Sequence, residues 1–314
     1  MSKFSVIPLI FFLNFTKKFI LLILEMSAFS TNRQSQCIDP TKFSKVVSKL
    51  RDFFTAKGFI EVHTQNRLSI LAACEDPSTI STYEYAGKKW PLPQTGQMWL
   101  EYEMLTNPES PGFFCVSTSY RNEPNPIPGR HDLIFPMFEF EMKGGMDELM
   151  KLEAELLVHL GYNPKEGDKS DVPYPNDDYM NMGEKYKVFD LEHEHEQKMY
   201  EEHGPVFFLK NFPSFTSPFW NMKLHDDQRF SKKVDVILSG METIGSAERS
   251  NSPEDMRRTF NTISDGMYAN TLYNQFGKDR VNAELDDFLN LKFFTRSGGG
   301  IGVTRLMSSM QKEN

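Results

Sequence analysis

The chain has 314 residues, 39% of them hydrophobic and 13% aromatic, which is enough to build the core of one large domain or two small ones. Its net charge of −8 argues against a broadly basic surface for nucleic acids, while leaving room for a local basic patch. The three cysteines, Cys37, Cys74 and Cys115, are far apart, so they form neither a disulfide framework nor a pair with metal-ligand spacing. This cysteine usage is typical of a reduced, intracellular protein, and we expect a cytoplasmic location.

Two apolar runs occupy residues 4–24 and are separated by Lys17 and Lys18. Neither run is long enough to cross a membrane, and we expect no membrane partner. A signal peptide is an alternative, but no small-residue cleavage site follows. We therefore interpret residues 1–39 as a poorly defined N-terminal extension, with Met26 as an alternative translation start.

Apolar residues recur at helical spacing between residues 41 and 57, which predicts an amphipathic helix that Gly58 ends. A strand is expected over residues 59–62. The next predicted elements are a strand, turn and helix over 80–106, a strand over 113–120, a strand in which Phe138 and Phe140 alternate with Glu139 and Glu141, and a helix over 146–160 that Gly161 ends.

The second half begins with a polar, proline-containing segment, 163–185, which we interpret as a surface insertion. A solvated, charged helix is predicted over 190–203. Its His193, His195 and His203 suggest a metal cluster as the alternative, but positions i and i+2 do not share a helix face. The remaining predicted elements are strands over 206–209, 219–224 and 234–238, a long helix over 253–277, and a glycine-dense approach to a helix that carries Arg305. Sequential antiparallel strands with flanking helices predict an α+β fold.

Two arginines stand where a polyphosphate could bind. Arg121 ends a strand that leads into a proline-rich turn, and Arg305 follows the glycine-dense segment 297–302. Guanidinium groups bind phosphate oxygens in a bidentate manner, and glycines let a ligand approach the backbone closely. The pattern therefore indicates a polyphosphate site.

The same two segments resemble motifs of a known family. Arg121-x-Glu123, a loop, Arg130-His131 and Phe135 before an acidic strand resemble motif 2 of class II aminoacyl-tRNA synthetases, and Gly300-Ile-Gly302-x-x-Arg305-Leu resembles motif 3. Within that class the match is closest to the asparaginyl and aspartyl subgroup, and it covers residues 40–312. The resemblance implies a class II synthetase-type antiparallel β-sheet flanked by helices, with residues 40–314 as the catalytic domain.

The resemblance implies an ATP site. Arg121 would bridge the α-phosphate and the substrate carboxylate, and Arg121 and Arg305 would be the catalytic pair. Glu123 would contact the adenine amino group, while Phe135 would stack beneath adenine with Arg305 over its other face. The full set implied for ATP is Arg121, Glu123, Arg130, His131, Phe135, Gly300, Gly302 and Arg305, of which Arg130 and His131 would reach the terminal phosphates.

The resemblance also implies sites for the amino acid and for magnesium. Gln97 would contact main-chain groups of the amino acid, and Arg249 the oxygen of its side chain. Asp235 and Glu242, seven residues apart, offer the hard carboxylate oxygens that Mg²⁺ prefers. Aspartyl enzymes carry a lysine where this chain has Leu100, and the loss of that cation favours asparagine over aspartate as the substrate.

We expect ATP-dependent activation of asparagine, or next aspartate, to an aminoacyl-adenylate with release of pyrophosphate. The acceptor would be tRNA, a small molecule or a protein amine, and the subgroup implies a homodimer. Gln65 replaces the motif 1 proline, which weakens the expectation of that dimer, and the chain leaves no room for the anticodon-reading OB-fold of full synthetases. Two alternatives stay open: an ammonia-dependent asparagine synthetase, and a non-catalytic paralogue with a binding or regulatory role.

Overall fold

A computed structural model describes residues 37–64, 70–72, 77–164 and 170–313. It divides the chain at residue 40, and the fold is that of residues 41–314. The expectations that concern Met26, Gln65 and Cys74 lie outside the described residues. Among the helices that the structure describes, none has both the length and the apolar character that crossing a membrane requires.

The described strands form one eight-stranded sheet and a separate two-stranded hairpin. They are β1 (Ile60–Glu61), β2 (Thr82–Tyr85), β3 (Lys88–Pro91), β4 (Gly112–Tyr120), β5 (Ile134–Lys143), β6 (Asn176–Asp178), β7 (Val206–Pro213), β8 (Phe230–Leu238), β9 (Met241–Glu248) and β10 (Arg296–Gly302). The order in the large sheet is β1-β4-β5-β10-β9-β8-β7-β6, and β2 pairs with β3. The six central strands run antiparallel, while β1 and β6 at the edges pair in parallel with β4 and β7. The predicted α+β class and antiparallel sheet are confirmed.

Helices cover both faces of this sheet. They are α1 (Pro40–Ala56), α2 (Gln97–Thr106), α3 (Met146–Leu160), α4 (Tyr179–Tyr186), α5 (His193–His203), α6 (Pro253–Thr262), α7 (Met267–Phe276), α8 (Lys278–Leu289) and α9 (Val303–Glu313). Helices α1, α3 and α9 share the main apolar core with the central strands. Helices α6, α7 and α8 form a second core around Trp220, and α4 and α5 form a third with β7.

The alternation in β5 decides which face of the sheet carries polar chemistry. Phe138 and Phe140 are fully buried in the main core, where their ring centroids lie 5.1 and 4.9 Å from that of Phe54 in α1. Because successive side chains of a strand point to opposite faces, Glu139 and Glu141 lie on the other face. Both carboxylates are nevertheless buried. A buried acidic row of this kind needs partners, and these are supplied by the cavity described below.

The interpretation of residues 163–185 as a surface insertion is wrong for its second half. Residues 176–178 form the edge strand β6, and α4 follows with Tyr179 and Met182 buried against β7. The polar composition suggested a solvated loop. The strand is held by main-chain pairing to β7, a non-local contact that no local pattern reveals.

Two further predicted elements also differ. The helix expected over 253–277 is broken into α6 and α7 by a turn over Ile263–Gly266, where Ser264 and Asp265 adopt left-handed φ angles of 51° and 54°. Residues 219–224 form no regular strand and contribute only the isolated bridges Met222–Arg249 and Leu224–Ser231. Apolar spacing alone signals neither outcome.

Candidate active site

A cavity of about 510 Å³ lies on the polar face of the sheet. Its lining includes eleven of the twelve predicted site residues: Gln97, Arg121, Glu123, Arg130, His131, Phe135, Glu242, Arg249, Gly300, Gly302 and Arg305. The twelfth, Asp235, is 7% exposed and lies behind the cavity wall, close to Glu242. Residues separated by up to 208 positions in the chain are thus brought to one site, from Gln97 to Arg305.

One end of the cavity is built on a buried ion pair between Arg249 and Glu141. Arg249 Nε and Nη2 donate to Glu141 Oε1 at 2.9 and 2.5 Å. Both side chains are almost completely buried. Burial raises the pKa of Glu141 to about 7, against the opposing effect of the Arg249 charge. Arg249, predicted to bind the substrate, is therefore already fixed in orientation by a carboxylate on the adjacent strand.

A second buried pair stands beside the first. Arg296 Nε and Nη2 donate to Glu101 Oε2 at 2.9 and 2.5 Å, and neither side chain is exposed. Glu101 Oε1 accepts from Asn221 Nδ2 at 2.5 Å and from Gln97 Nε2 at 2.8 Å. The predicted amino-acid ligand Gln97 is thus positioned through Glu101. Because buried charges are tolerated only when they are paired and hydrogen-bonded, these contacts fix the geometry of this end of the cavity.

The floor of the cavity is organised by Glu139. Its carboxylate accepts from the Gly96 backbone N–H at 2.8 Å, from Ser117 Oγ at 2.5 Å and from the Thr95 hydroxyl. Burial raises the pKa of Glu139, and these three donors act in the opposite direction. The carboxylate therefore holds the turn that begins α2 and presents Gln97.

The adenine end was predicted around Phe135. Arg121 Cζ lies 5.6 Å from the centroid of the Phe135 ring, so Arg121 is the cation that contacts this ring in the structure. His131 also lines the cavity, and burial lowers its pKa. Glu123 acts on His131 in the opposite direction, which places these two predicted ATP ligands near each other.

The phosphate end contains a closed ring of contacts. Arg305 Nη1 donates to the Glu242 backbone oxygen at 2.7 Å, and Arg305 Nη2 to the Arg130 backbone oxygen at 3.3 Å. Arg130 Nη2 donates to Glu196 Oε1 at 2.5 Å, and the Glu242 backbone N–H donates to Glu196 Oε2 at 2.7 Å. Two arginines that were predicted to bind phosphates are therefore connected through the main chain and through one additional carboxylate.

Asp235 and Glu242 form the predicted metal pair. Asp235 Oδ2 accepts from Lys233 Nζ at 2.9 Å, while Oδ1 is buried and has no hydrogen-bond partner among the described residues. Burial and the Glu242 charge raise the pKa of Asp235 to about 7, against the effect of Lys233. Burial would also raise the pKa of Glu242, but Lys233 and Arg305, among other cations, lower it overall. One proton is thus held by Asp235 rather than by Glu242 near neutral pH.

The prediction that α5 is a solvated helix is wrong for two of its residues. His195 is 3% exposed, and its Nδ1 accepts from the Glu192 backbone N–H at 2.9 Å. The side chain of Glu196 is 16% exposed and reaches Arg130. The alternative of a histidine metal cluster gains no support, because the described residues contain no group of three or more His, Cys, Asp or Glu side chains arranged to hold a metal.

Several residues of the site were not identified from the sequence. They are the buried carboxylates Glu101 and Glu139, the buried Arg296, Lys233 beside the predicted metal pair, and Glu196. The alternation in β5 had placed Glu139 on the polar face and so gave a partial signal. Glu196 offered no such signal, because its function depends on where α5 packs.

The sequence matches the family described as tRNA synthetases class II (D, K and N) over residues 27–314. It is 25% identical over 235 residues to the cytoplasmic aspartate–tRNA ligase 1 of Arabidopsis thaliana, which covers 65% of this chain and 43% of that protein. It is 24% identical over 299 residues to the aspartate–tRNA(Asp) ligase of Thermococcus kodakarensis, which covers 85% of this chain and 63% of that protein. The chain thus spans about half of the length of these curated relatives.

Solved structures share the fold. Asparaginyl-tRNA synthetase of Pyrococcus horikoshii, complexed with asparaginyl-adenylate, superposes with a TM-score of 0.69 at 20% identity and covers 87% of this chain and 64% of its own. Aspartyl-tRNA synthetase of Entamoeba histolytica gives a TM-score of 0.64 at 18% identity, with 87% and 55% covered. With the family match extending over nearly all of the sequence, the chain belongs to the class II tRNA synthetases of the aspartate, lysine and asparagine subgroup.

Proposed function

We propose that the cavity binds ATP and an amino acid and joins them as an aminoacyl-adenylate. The observation that carries this proposal is the position of the predicted residues: eleven of twelve line one cavity. Arg121, Arg130 and Arg305 supply positive charge at one end, and the buried Arg249 supplies it at the other. Such an arrangement suits a reaction that brings two anions together.

In the proposed reaction a carboxylate oxygen of the amino acid forms a bond to the α-phosphorus of ATP. The bond from that phosphorus to the oxygen of the β-phosphate breaks, and pyrophosphate leaves. Arg121 would stabilise the charge that accumulates on the α-phosphate oxygens, since a donor fixed in advance stabilises a transition state without reorganisation. Arg130 and Arg305 would hold the departing phosphates, while Gln97 and Arg249 would fix the amino acid.

We propose asparagine as the amino acid, with aspartate as the alternative. Leu100 stands where an aspartyl enzyme carries a lysine, and it is fully buried in an apolar cluster with Met104, Phe113 and Cys115. Arg249 is already neutralised by Glu141. A second negative charge would therefore meet less compensation than a neutral amide, whose oxygen can accept from Arg249.

We propose that Asp235 and Glu242 hold Mg²⁺. These residues fit the ion, because Asp235 Oδ1 is buried without a protein donor among the described residues. Gly245 also keeps the space near both carboxylates open: a Cβ at this position would lie 3.1 Å from Glu242 Oε1 and 3.6 Å from Asp235 Oδ1. Mg²⁺ commonly uses one or two carboxylates together with substrate phosphates. Bound there, it would neutralise phosphate charge.

The test is amino-acid-dependent exchange between ATP and radioactive pyrophosphate, measured with all twenty amino acids and Mg²⁺. We expect exchange with asparagine, and weaker exchange with aspartate. Arg121→Ala should reduce the rate by about 10²–10³-fold, as for removal of a donor that stabilises the transition state. Arg229→Ala is the matched control, because the Arg229 side chain is 75% exposed and outside the cavity. Folded protein that exchanges with none of the twenty amino acids would overturn the proposal.

A further inference from the structure

The residue that stands out is Glu196 in α5. It belongs to a helix that no sequence motif connects to the site, yet its side chain is only 16% exposed and forms an ion pair with Arg130, which is 15% exposed. Glu196 is absent from the lining of the cavity, whereas Arg130 lines it. Glu196 therefore stands behind a residue that faces the cavity.

Both carboxylate oxygens of Glu196 are used. Oε1 accepts from Arg130 Nη2 at 2.5 Å, and Oε2 accepts from the Glu242 backbone N–H at 2.7 Å. Arg305 completes the connection, because it donates to the backbone oxygens of Glu242 and Arg130. Glu196 thus ties the loop after β4 to strand β9 and, through Arg305, to α9.

The loop that carries Arg130 has few other attachments. Residues 124–129 are all exposed. The contacts that fasten the ends of the loop are backbone hydrogen bonds from Arg121 to Leu133 and from Asn122 to Thr79. A long arginine side chain on such a loop would lose considerable conformational freedom on binding an anion, unless it were already held.

We infer that Glu196 is a positioning residue that fixes Arg130, and with it the loop over residues 121–133, before ATP binds. The inference rests on the proposed function, in which Arg130 binds the terminal phosphates. A guanidinium group has five N–H donors, so Arg130 can bind a phosphate while Nη2 stays on Glu196. The carboxylate would lower the entropy cost of binding ATP without touching the nucleotide.

The first experiment measures ATP affinity by calorimetry with Mg²⁺ on the full chain, for Glu196→Ala, Arg130→Ala and the double variant. Glu196→Ala should weaken ATP binding by about 3- to 10-fold, the usual cost of immobilising one long side chain. In the Arg130→Ala background it should have no effect, and the KM of the amino acid should not change. Glu194→Ala is the matched control, since that side chain of the same helix is 64% exposed.

An equal effect of Glu196→Ala in both backgrounds would overturn the inference. So would tighter ATP binding, because Glu196 would then compete with phosphate instead of positioning Arg130. If Glu196→Ala does not fold, Glu196→Gln takes its place: an amide oxygen can still accept from the Glu242 N–H, but the ion pair with Arg130 is lost. It should weaken ATP binding in the same direction and by a smaller factor.

A second measurement separates this inference from the proposed function. Hydrogen exchange in the absence of ATP reports on the Arg130 and His131 amides, which donate to the Ile127 oxygen at 3.1 and 2.9 Å. Glu196→Ala should accelerate their exchange, and Glu194→Ala should not. A wild-type chain that fails to bind ATP would refute the proposed function, whereas unchanged exchange in Glu196→Ala would refute the positioning role alone.

Discussion

Arg249 illustrates how a single residue can combine a binding role with a structural one. It was predicted to grip the substrate side chain, and the structure shows that it also neutralises the buried Glu141. Arg249→Ala should weaken amino-acid binding by about 1.5–3 kcal/mol, the range for a charged hydrogen bond, with little change in ATP affinity. It should also destabilise the fold by about 3–5 kcal/mol, because Glu141 is left as an uncompensated buried charge.

Arg249→Lys separates these two effects. A lysine retains the charge that Glu141 needs but loses the bidentate geometry, so the amino-acid KM should rise while the urea midpoint changes little. The two measurements are steady-state exchange kinetics and urea unfolding. Equal losses of amino-acid and ATP affinity in the lysine variant would mean that Arg249 has only a structural role.

Glu153 determines a pH dependence of stability. It is completely buried in α3, and neither carboxyl oxygen has a hydrogen-bond partner among the described residues. Burial raises its pKa from 4.5 to about 8, so the folded chain retains a proton that the unfolded chain has lost. Between these two values the unfolded state binds fewer protons, and the free energy of unfolding should fall as pH rises, by up to about 1.4 kcal/mol per pH unit.

Urea unfolding between pH 5 and pH 8 tests this. Glu153→Gln should remove that part of the decline, because an amide does not titrate. Glu141 and Asp235, whose pKa values are raised to about 7, contribute in the same direction and should leave a smaller residual decline. A variant with the same slope as the wild type would show that Glu153 does not carry the effect.

Among the elements, β10 shows why glycine is required at particular positions of a strand. A Cβ at Gly298 would overlap the Phe140 carbonyl oxygen and the Glu141 side chain on β5. At Gly300 it would lie 2.6 Å from the Met137 methyl group, which is the flexible end of a side chain. The first strand contact cannot relax without moving backbone, and the second can.

We therefore expect different results from two alanine substitutions in β10. Gly298→Ala should destabilise the fold by about 1–3 kcal/mol or more, as overpacking does. Gly300→Ala should fold with nearly the wild-type melting temperature, but it should raise the ATP KM because it fills part of the cavity. Thermal unfolding and ATP calorimetry provide the two readouts. Similar melting temperatures for both variants would contradict this account.

The same elements show what the sequence could reveal. The spacing of apolar residues predicted α1, and the alternation of Phe138 and Phe140 with glutamates predicted β5, because both patterns are local. The edge strand β6 and the left-handed turn at Ser264 were missed, because each depends on tertiary contacts that override a local pattern. The motif residues of the site were predicted in the same way, whereas Glu101, Arg296 and Glu196 required the folded chain.

At the scale of the whole molecule, the homodimer stays a prediction. Strand β1 lies at the edge of the large sheet, and its Ile60 side chain is 51% exposed. An exposed apolar residue on an edge strand is suited to an interface between two copies. Sedimentation should therefore show a dimer in the wild type and a shift towards monomer in Ile60→Lys. A monomeric wild type at micromolar concentration would refute the expectation.

The last prediction concerns tRNA. Affinity for nucleic acids comes largely from phosphate contacts by lysine and arginine, and so falls steeply with salt. This chain has a net charge of −8, and the loop after β4 contains the exposed prolines Pro124, Pro126 and Pro128, which lack backbone donors. We expect the 314-residue chain to bind tRNA with a Kd of about 10⁻⁴–10⁻⁶ M at physiological salt, as in non-specific binding, and to form adenylate without tRNA. Filter binding with asparagine and aspartate tRNA transcripts measures this. Tight binding of one transcript, together with charging of its 3′ end, would contradict the prediction and assign to this chain the complete reaction of its relatives.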